Sequence, residues 1–356
     1  YGVDIDENGY VTYLGLSDNN LNGTVPDEIG LLSNLSILLL SNNSIHNLSS
    51  EIKKLQKLSF LSTSIWTDAI YECTNLSSLQ FYPLHSVQIP LNIFKLNNLI
   101  FLDIINVYGI IPEEIGLLEN LTDCRIYGPN LSGSIPSSIG NCTKLSSLDL
   151  SQNNLTGCIP AELGSLKELR NLTLCHNNLT GEIPESLSNL QKLESFQADN
   201  NMLTGNIPPK LGDIPTLQTL VLQDNLLSGD IPRNIQDNKE LWDYCWALIM
   251  TGNKFNLSSA DIQLPDFEVE DIYGKKIKAS EIYESHKYTV MLQTSHYFND
   301  YDNLPALKEL YDTYHNKGLE IIGYNCVDEN LTGVPNGEAA FREYVEEQGI
   351  TWPIFG

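Results

Sequence analysis

Positive charge is scarce in this sequence: 20 lysine and arginine side chains face 45 aspartates and glutamates, for a formal net charge of -25. Such a surface repels phosphate backbones and anionic lipid head groups, which excludes nucleic acid as the main partner. Long apolar runs are missing as well. No stretch approaches the roughly 18–20 uninterrupted apolar residues of a membrane span, and nothing at the start reads as a charged leader followed by an apolar run. No membrane insertion is expected, and the chain is either cytosolic or numbered from behind a removed leader. Close cysteine pairs are absent too. Cys73, Cys124, Cys142, Cys158, Cys175, Cys245 and Cys326 are odd in number and lack metal-type spacing, so most read as small apolar fillers. What is present, 42% apolar and 18% charged residues over 356 positions, suits a folded chain. That length holds two ordinary domains, or an elongated array plus a smaller unit.

A fixed period decides the architecture of the first part. LSSLDLSQNNLTGCIPAELGSLKE (145–168), LRNLTLCHNNLTGEIPESLSNLQK (169–192) and LESFQADNNMLTGNIPPKLGDIPT (193–216) superimpose without a gap. Their common pattern is L-x-x-L-x-L-x-x-N-x-L-x-G-x-I-P. The leucines alternate as in a short strand, turned inward, with the intervening residues on an open face. Asn153, Asn177, Asn201 and Asn225 follow the strand, where a side-chain amide satisfies backbone groups at the turn that stacks against the next coil. Glycine and Ile-Pro bend the chain around the outer side. One such unit cannot bury its own apolar edge, so only a stack is stable.

The pattern resembles the plant-type leucine-rich repeat. That resemblance implies an α/β solenoid, a right-handed superhelix with a parallel β-sheet on its concave face. Repeats start at Val11, Leu35, Leu58, Leu76, Leu99, Leu121, Leu145, Leu169, Leu193 and Leu217, and a final partial strand is expected within 245–255. YGVDIDENGYV at the start is similar to the hairpin that caps this family's N-terminal edge. It lacks the paired cysteines of secreted plant members, which favours a microbial version of the repeat. The solenoid is assigned residues 1–260.

Regularity breaks in the repeats starting at Leu58, Leu76, Leu99 and Leu121, where Trp66, Leu84, Val107 and Pro129 replace the turn asparagine. The open strand face changes character at the same place. Early and middle repeats project Ile37, Leu39, Phe60, Ile65, Tyr82, Phe101, Ile105 and Tyr127; later ones project Asp149, Ser151, Thr173, His176, Gln197, Asp199, Gln223 and Asp224. Apolar and aromatic side chains on a face open to water form a patch for a partner, a protein or a glycan. The competing reading is repeat decay, with irregular coils burying these residues against one another.

Two other motifs carry less. DIDENG (4–9) matches the first half of a calcium loop, but Gly15 stands where a bidentate glutamate is required, and a turn between two strands explains it as well. N-x-S/T triplets at Asn34, Asn75, Asn120, Asn171, Asn178 and Asn256 are written by the repeat template itself.

After residue 260 the periodicity stops. LPDFEVEDIYGKKIKASEI predicts a hairpin, with a strand at 267–270 and a turn at 271–274. YTVMLQT and LEIIGYNCV predict buried strands, NLPALKELYDTYHNKG and EAAFREYVEEQG helices. Strands separated by helices of this length imply right-handed crossovers and a parallel sheet. These segments, with GITWPIF, resemble the redoxin branch of the thioredoxin-like fold over about 265–356.

In that family a C-x-x-C pair precedes the helix, its second cysteine five residues ahead of a proline. Counting back from Pro305 places the two positions on Tyr297 and Asp300, which cannot form a disulfide. The resemblance therefore implies a degenerate thioredoxin-like domain, 261–356, without redox chemistry. It also implies truncation, since the family's last proline-led strand and hairpin would lie beyond Gly356. An unfinished sheet invites self-association through its open edge. His296, Tyr297, Asp300 and Asp302 could form a metal or catalytic group, but His and Asp on a polar turn are more often solvated.

The expectation is a non-enzymatic recognition protein without cofactor or metal. It is exported by a bacterium to the surface, the exterior or the periplasm, and binds through its concave patch. The alternatives are a thiol-disulfide oxidoreductase guided by the repeats, and a structural surface protein whose patch residues are buried.

Overall fold

In the computed structural model, every repeat gives one short strand to a single sheet. The structure describes residues 2–238, Leu241, Cys245, Ile249, 252–255 and, as backbone, the five strands of the second unit named below. Eleven strands stand in chain order: Gly2–Ile5, Val11–Gly15, Ile37–Leu39, Phe60–Thr63, Ser78–Phe81, Phe101–Ile104, Asp123–Ile126, Ser147–Asp149, Asn171–Thr173, Ser195–Gln197 and Thr219–Val221. The first pair is an antiparallel hairpin, and each later strand pairs in parallel with the one before it. All ten repeat starts read from the sequence thus carry a strand.

The alternation works as the residue types require. Leu38, Leu61, Leu79, Leu102, Leu148, Leu172, Phe196 and Leu220 stack as one fully buried column, one per coil. Packing coil on coil removes this column from water, worth roughly 1.5–3 kcal/mol per large side chain. On the outer side, proline fixes the entry to a five-residue 3-10 turn, as at Pro160 before Ala161–Ser165. The glycine of L-x-G-x-I-P has a backbone requirement: Gly157, Gly181 and Gly205 sit at φ +76°, +77° and +75°. A second glycine is needed for close approach, since a Cβ on Gly164 would lie 2.4 Å from the carbonyl oxygen of Ser186 in the next coil.

The turn asparagines tie each coil to the coil before it. Asn177 Oδ1 accepts from the Leu155 N–H at 3.0 Å, and its Nδ2 donates to the carbonyls of Leu150, Leu174 and Cys175 at 2.9, 3.1 and 3.3 Å. Asn43, Asn153, Asn201 and Asn225 repeat this arrangement, and all five are buried. Where the ladder lapses, apolar packing replaces it. Trp66 meets Phe81 edge-on, with ring centroids 5.8 Å apart, and Val107 is fully buried.

The solenoid ends differently from the expected partial strand within 245–255. Leu241, Cys245 and Ile249 are helical and buried, on one face at a spacing of four. Among the described residues of that segment, only Lys254–Phe255 pairs as a strand, with Ser228–Gly229 on the flank. Apolar residues spaced by four suit a helix laid over the last coil. The Leu220 N–H, on the last described strand of the sheet, reaches Cys245 Sγ at 3.3 Å.

Most described cysteines are apolar fillers. Cys73 and Cys142 end their 3-10 turns where Leu55, Leu96, Leu118, Leu166 and Leu190 end five of the others, and Cys124 stands in the leucine column. Cys158 is exposed and Cys175 half-buried. Burial raises the Cys73 and Cys142 thiols from 9.0 to about 11. The folded state thus holds these protons more tightly than the unfolded chain. Their contribution to stability is complete below about pH 9 and is lost as pH rises towards 11. Alkylation at pH 8 followed by peptide mass mapping is expected to modify Cys158 in the native protein, and Cys73, Cys124 and Cys142 only after denaturation. Native labelling of Cys124 would contradict this packing.

The chain divides into two compact units, Tyr1–Ala260 and Asp261–Gly356. In the second, Glu268–Glu270 and Lys276–Lys278 form an antiparallel pair, at the place where the sequence predicts a hairpin. Tyr288–Ser295, Leu319–Cys326 and Ile354–Phe355 form a parallel sheet in that order. The helices expected at 303–318 and 338–349, and the positions His296, Tyr297, Asp300 and Asp302, lie outside the described residues.

Candidate ligand-binding face

The strand registers convert the sequence pattern into rows across the concave sheet. The first row runs Tyr13, Ile37, Phe60, Ser78, Phe101, Asp123, Ser147. The second runs Leu39, Ser62, Gln80, Asp103, Arg125, Asp149. A third set leaves the strand ends. The N–H groups of Tyr82, Ile105 and Tyr127 donate to Thr63, Phe81 and Ile104 of the preceding coils at 2.9, 3.1 and 2.8 Å. Ile65 follows the Thr63 turn, where its N–H reaches Thr63 Oγ1 at 3.1 Å.

All eight residues of the expected patch are half-buried: Ile37, Leu39, Phe60, Ile65, Tyr82, Phe101, Ile105 and Tyr127. The sheet brings Ile37 beside Phe60. Phe60 and Phe101 flank Ser78, so two rings stand two strand spacings, roughly 10 Å, apart over a small polar floor. Beyond Phe101 the first row turns polar at Asp123, Ser147 and Asn171.

Sequence reasoning missed three members of this face. Tyr13 pairs with Ile37, and counting the repeat frame back by one coil would have found it. Asp103 and Arg125 stand side by side in the second row. Asp103 is only 7% exposed; Tyr82 Oη donates to its Oδ2 at 2.5 Å, while its Oδ1 is buried without a partner. Burial, followed by this bond to Asp103, holds the Tyr82 hydroxyl well above the usual tyrosine range. Arg125 Nε is 3.8 Å from Asp149 Oδ2, on the far side from Asp103.

The acidic turn at the N-terminus is occupied by backbone: Asp6 Oδ1 accepts from the N–H groups of Asn8 and Tyr10, both at 2.9 Å. Among the described residues, no three His, Cys, Asp or Glu side chains converge as metal ligands. No described helix is long and apolar enough to cross a membrane.

Two family models match within this unit, a leucine-rich repeat region over residues 81–243 and a single leucine-rich repeat over 10–32. The solenoid is built of leucine-rich repeats. Among solved structures, this chain is similar to a TDR receptor, with a TM-score of 0.59 and 30% identity over 69% of this chain and 48% of that one. It is also similar to the Arabidopsis receptor kinase HAESA, solved in complex with the peptide hormone IDA and the co-receptor SERK1. There the TM-score is 0.58, with 25% identity over 91% of this chain and 61% of that one. A glutathione peroxidase homolog, BsaA of Bacillus subtilis, is 43% identical over 53 residues, 15% of this chain and 32% of the relative. The chain thus spans less than two thirds of each of these proteins.

Proposed function

We propose that the leucine-rich-repeat solenoid is a non-catalytic recognition module that binds a peptide, or an extended segment of a protein, along the first six coils of its concave face. The observation that carries this reading is the half-buried state of all eight patch residues, on a strand face whose inward leucines already fill the core. Side chains that neither complete the core nor stand free in water are placed to be covered by a partner. Support also comes from HAESA, whose similar solenoid was solved with a peptide hormone. The protein is exported, to the cell surface, the exterior or the periplasm, where such a segment is met.

Peptides selected on the full chain from a random display library test the reading: substituting Phe60, Phe101 and Tyr127 by serine should abolish their binding. Retained binding would sink the assignment.

For residues 261–356 we propose a thioredoxin-like unit of redoxin descent that serves as cap or spacer. The three-stranded parallel sheet and the 53-residue match to a glutathione peroxidase homolog support its descent. Tyr297 and Asp300 at the expected thiol positions support the loss of chemistry. With dithiothreitol as reductant, the protein is expected to leave the rate of insulin disulfide reduction at the blank level. Catalysed turnover would restore the oxidoreductase reading.

A further inference from the structure

We propose that Asp103 anchors a cationic side chain, lysine or arginine, of a peptide whose neighbouring apolar side chain enters the space between Phe60 and Phe101. Asp103 stands on the strand Phe101–Ile104 between two fully buried core residues, Leu102 and Ile104, so its carboxylate belongs to the concave face. Its Oδ2 is taken by Tyr82, but Oδ1 is buried and has no donor. Leaving a buried carboxylate oxygen unpaired is unfavourable, and an ammonium or guanidinium supplies the missing donor together with the opposite charge.

Among the described residues, none donates to that oxygen. Arg125 is the register neighbour of Asp103, yet it leans the other way, to a loose 3.8 Å contact with Asp149, and its side chain is 56% exposed.

Charge complementarity points the same way. In the repeat frame the concave face carries Asp18, Asp103, Asp123, Asp149, Asp199 and Asp224 against one arginine, Arg125, within a chain of net charge -25. Asp103 is also one row from Ser78 and one strand from Gln80, so an apolar and a cationic side chain close together on one extended peptide reach both places.

Given the peptide-binding reading above, the test is panning of a random-peptide phage library on the immobilised full chain and on its Asp103→Asn variant. Asparagine keeps an acceptor for the Tyr82 hydroxyl and removes the charge. Wild type is expected to enrich lysine or arginine next to an apolar residue, and the variant to enrich the apolar residue alone. A wild-type-selected peptide should bind at least tenfold more weakly when its basic residue is changed to glutamine, and that change should have no effect on Asp103→Asn. If the variant does not fold, the peptide series measured on wild type still decides. Apolar peptides without basic enrichment, or equal loss on both proteins, would overturn the anchor while leaving the patch in place. Failure to select any peptide would overturn both.

Discussion

Asn177→Leu is expected to destabilise the solenoid by on the order of 3–5 kcal/mol, although leucine is closer than asparagine to the surrounding core in polarity. The amide makes four hydrogen bonds, to the Leu155 N–H and to the carbonyls of Leu150, Leu174 and Cys175. Removing it leaves buried backbone groups in two adjacent coils unpaired, each costing about 1–3 kcal/mol, with partial relief where a carbonyl keeps another donor. The neighbouring Asn178 is exposed, and Asn178→Leu should shift stability by less than about 0.5 kcal/mol. Urea unfolding of both variants followed by circular dichroism checks the contrast. Equal midpoints would mean that the asparagine ladder does not hold the coils together.

The ladder was legible before the fold because its physics is local and repeated: an asparagine at one offset after alternating leucines has one job, read four times in the sequence, with Asn43 added by the structure. Its bonding direction was less legible. The turn reads as the one that stacks against the next coil, whereas the amide reaches back to the coil before, as Asn177 does to Leu150 and Leu155. The end of the solenoid was misread for a related reason. CWALIMTGNKF carries apolar residues that suit a strand, but Leu241, Cys245 and Ile249 follow a period of four that begins upstream of that segment.

Position on the concave face was legible, because residues at the third, fifth and seventh places point away from a leucine core. Side-chain pairing across coils was not. Tyr82 and Asp103 are 21 residues apart, at non-equivalent places in their repeats, and no periodic signal links them. Nor does any local rule state that Asp103 Oδ1 goes without a donor or that Arg125 turns to Asp149.

The larger effect concerns binding. Substituting Phe60, Phe101 and Tyr127 together by serine removes three rings from the face and leaves the buried leucine column untouched. Tyr82 is kept, since losing its hydroxyl would strand the second oxygen of Asp103. Each ring is half-buried without a ligand, so its truncation costs the folded protein little compared with a core substitution of about 3–5 kcal/mol. When a bound peptide completes the burial, each ring contributes about 1–2 kcal/mol, and losing three weakens binding by at least about 100-fold.

Isothermal titration of one library-selected peptide into the full wild-type chain and into the Phe60→Ser, Phe101→Ser, Tyr127→Ser variant, both shown by circular dichroism to be folded, is the most direct test of a concave recognition face. Stoichiometric binding to wild type and no heat with the variant is the result predicted here; equal affinity for both would contradict it.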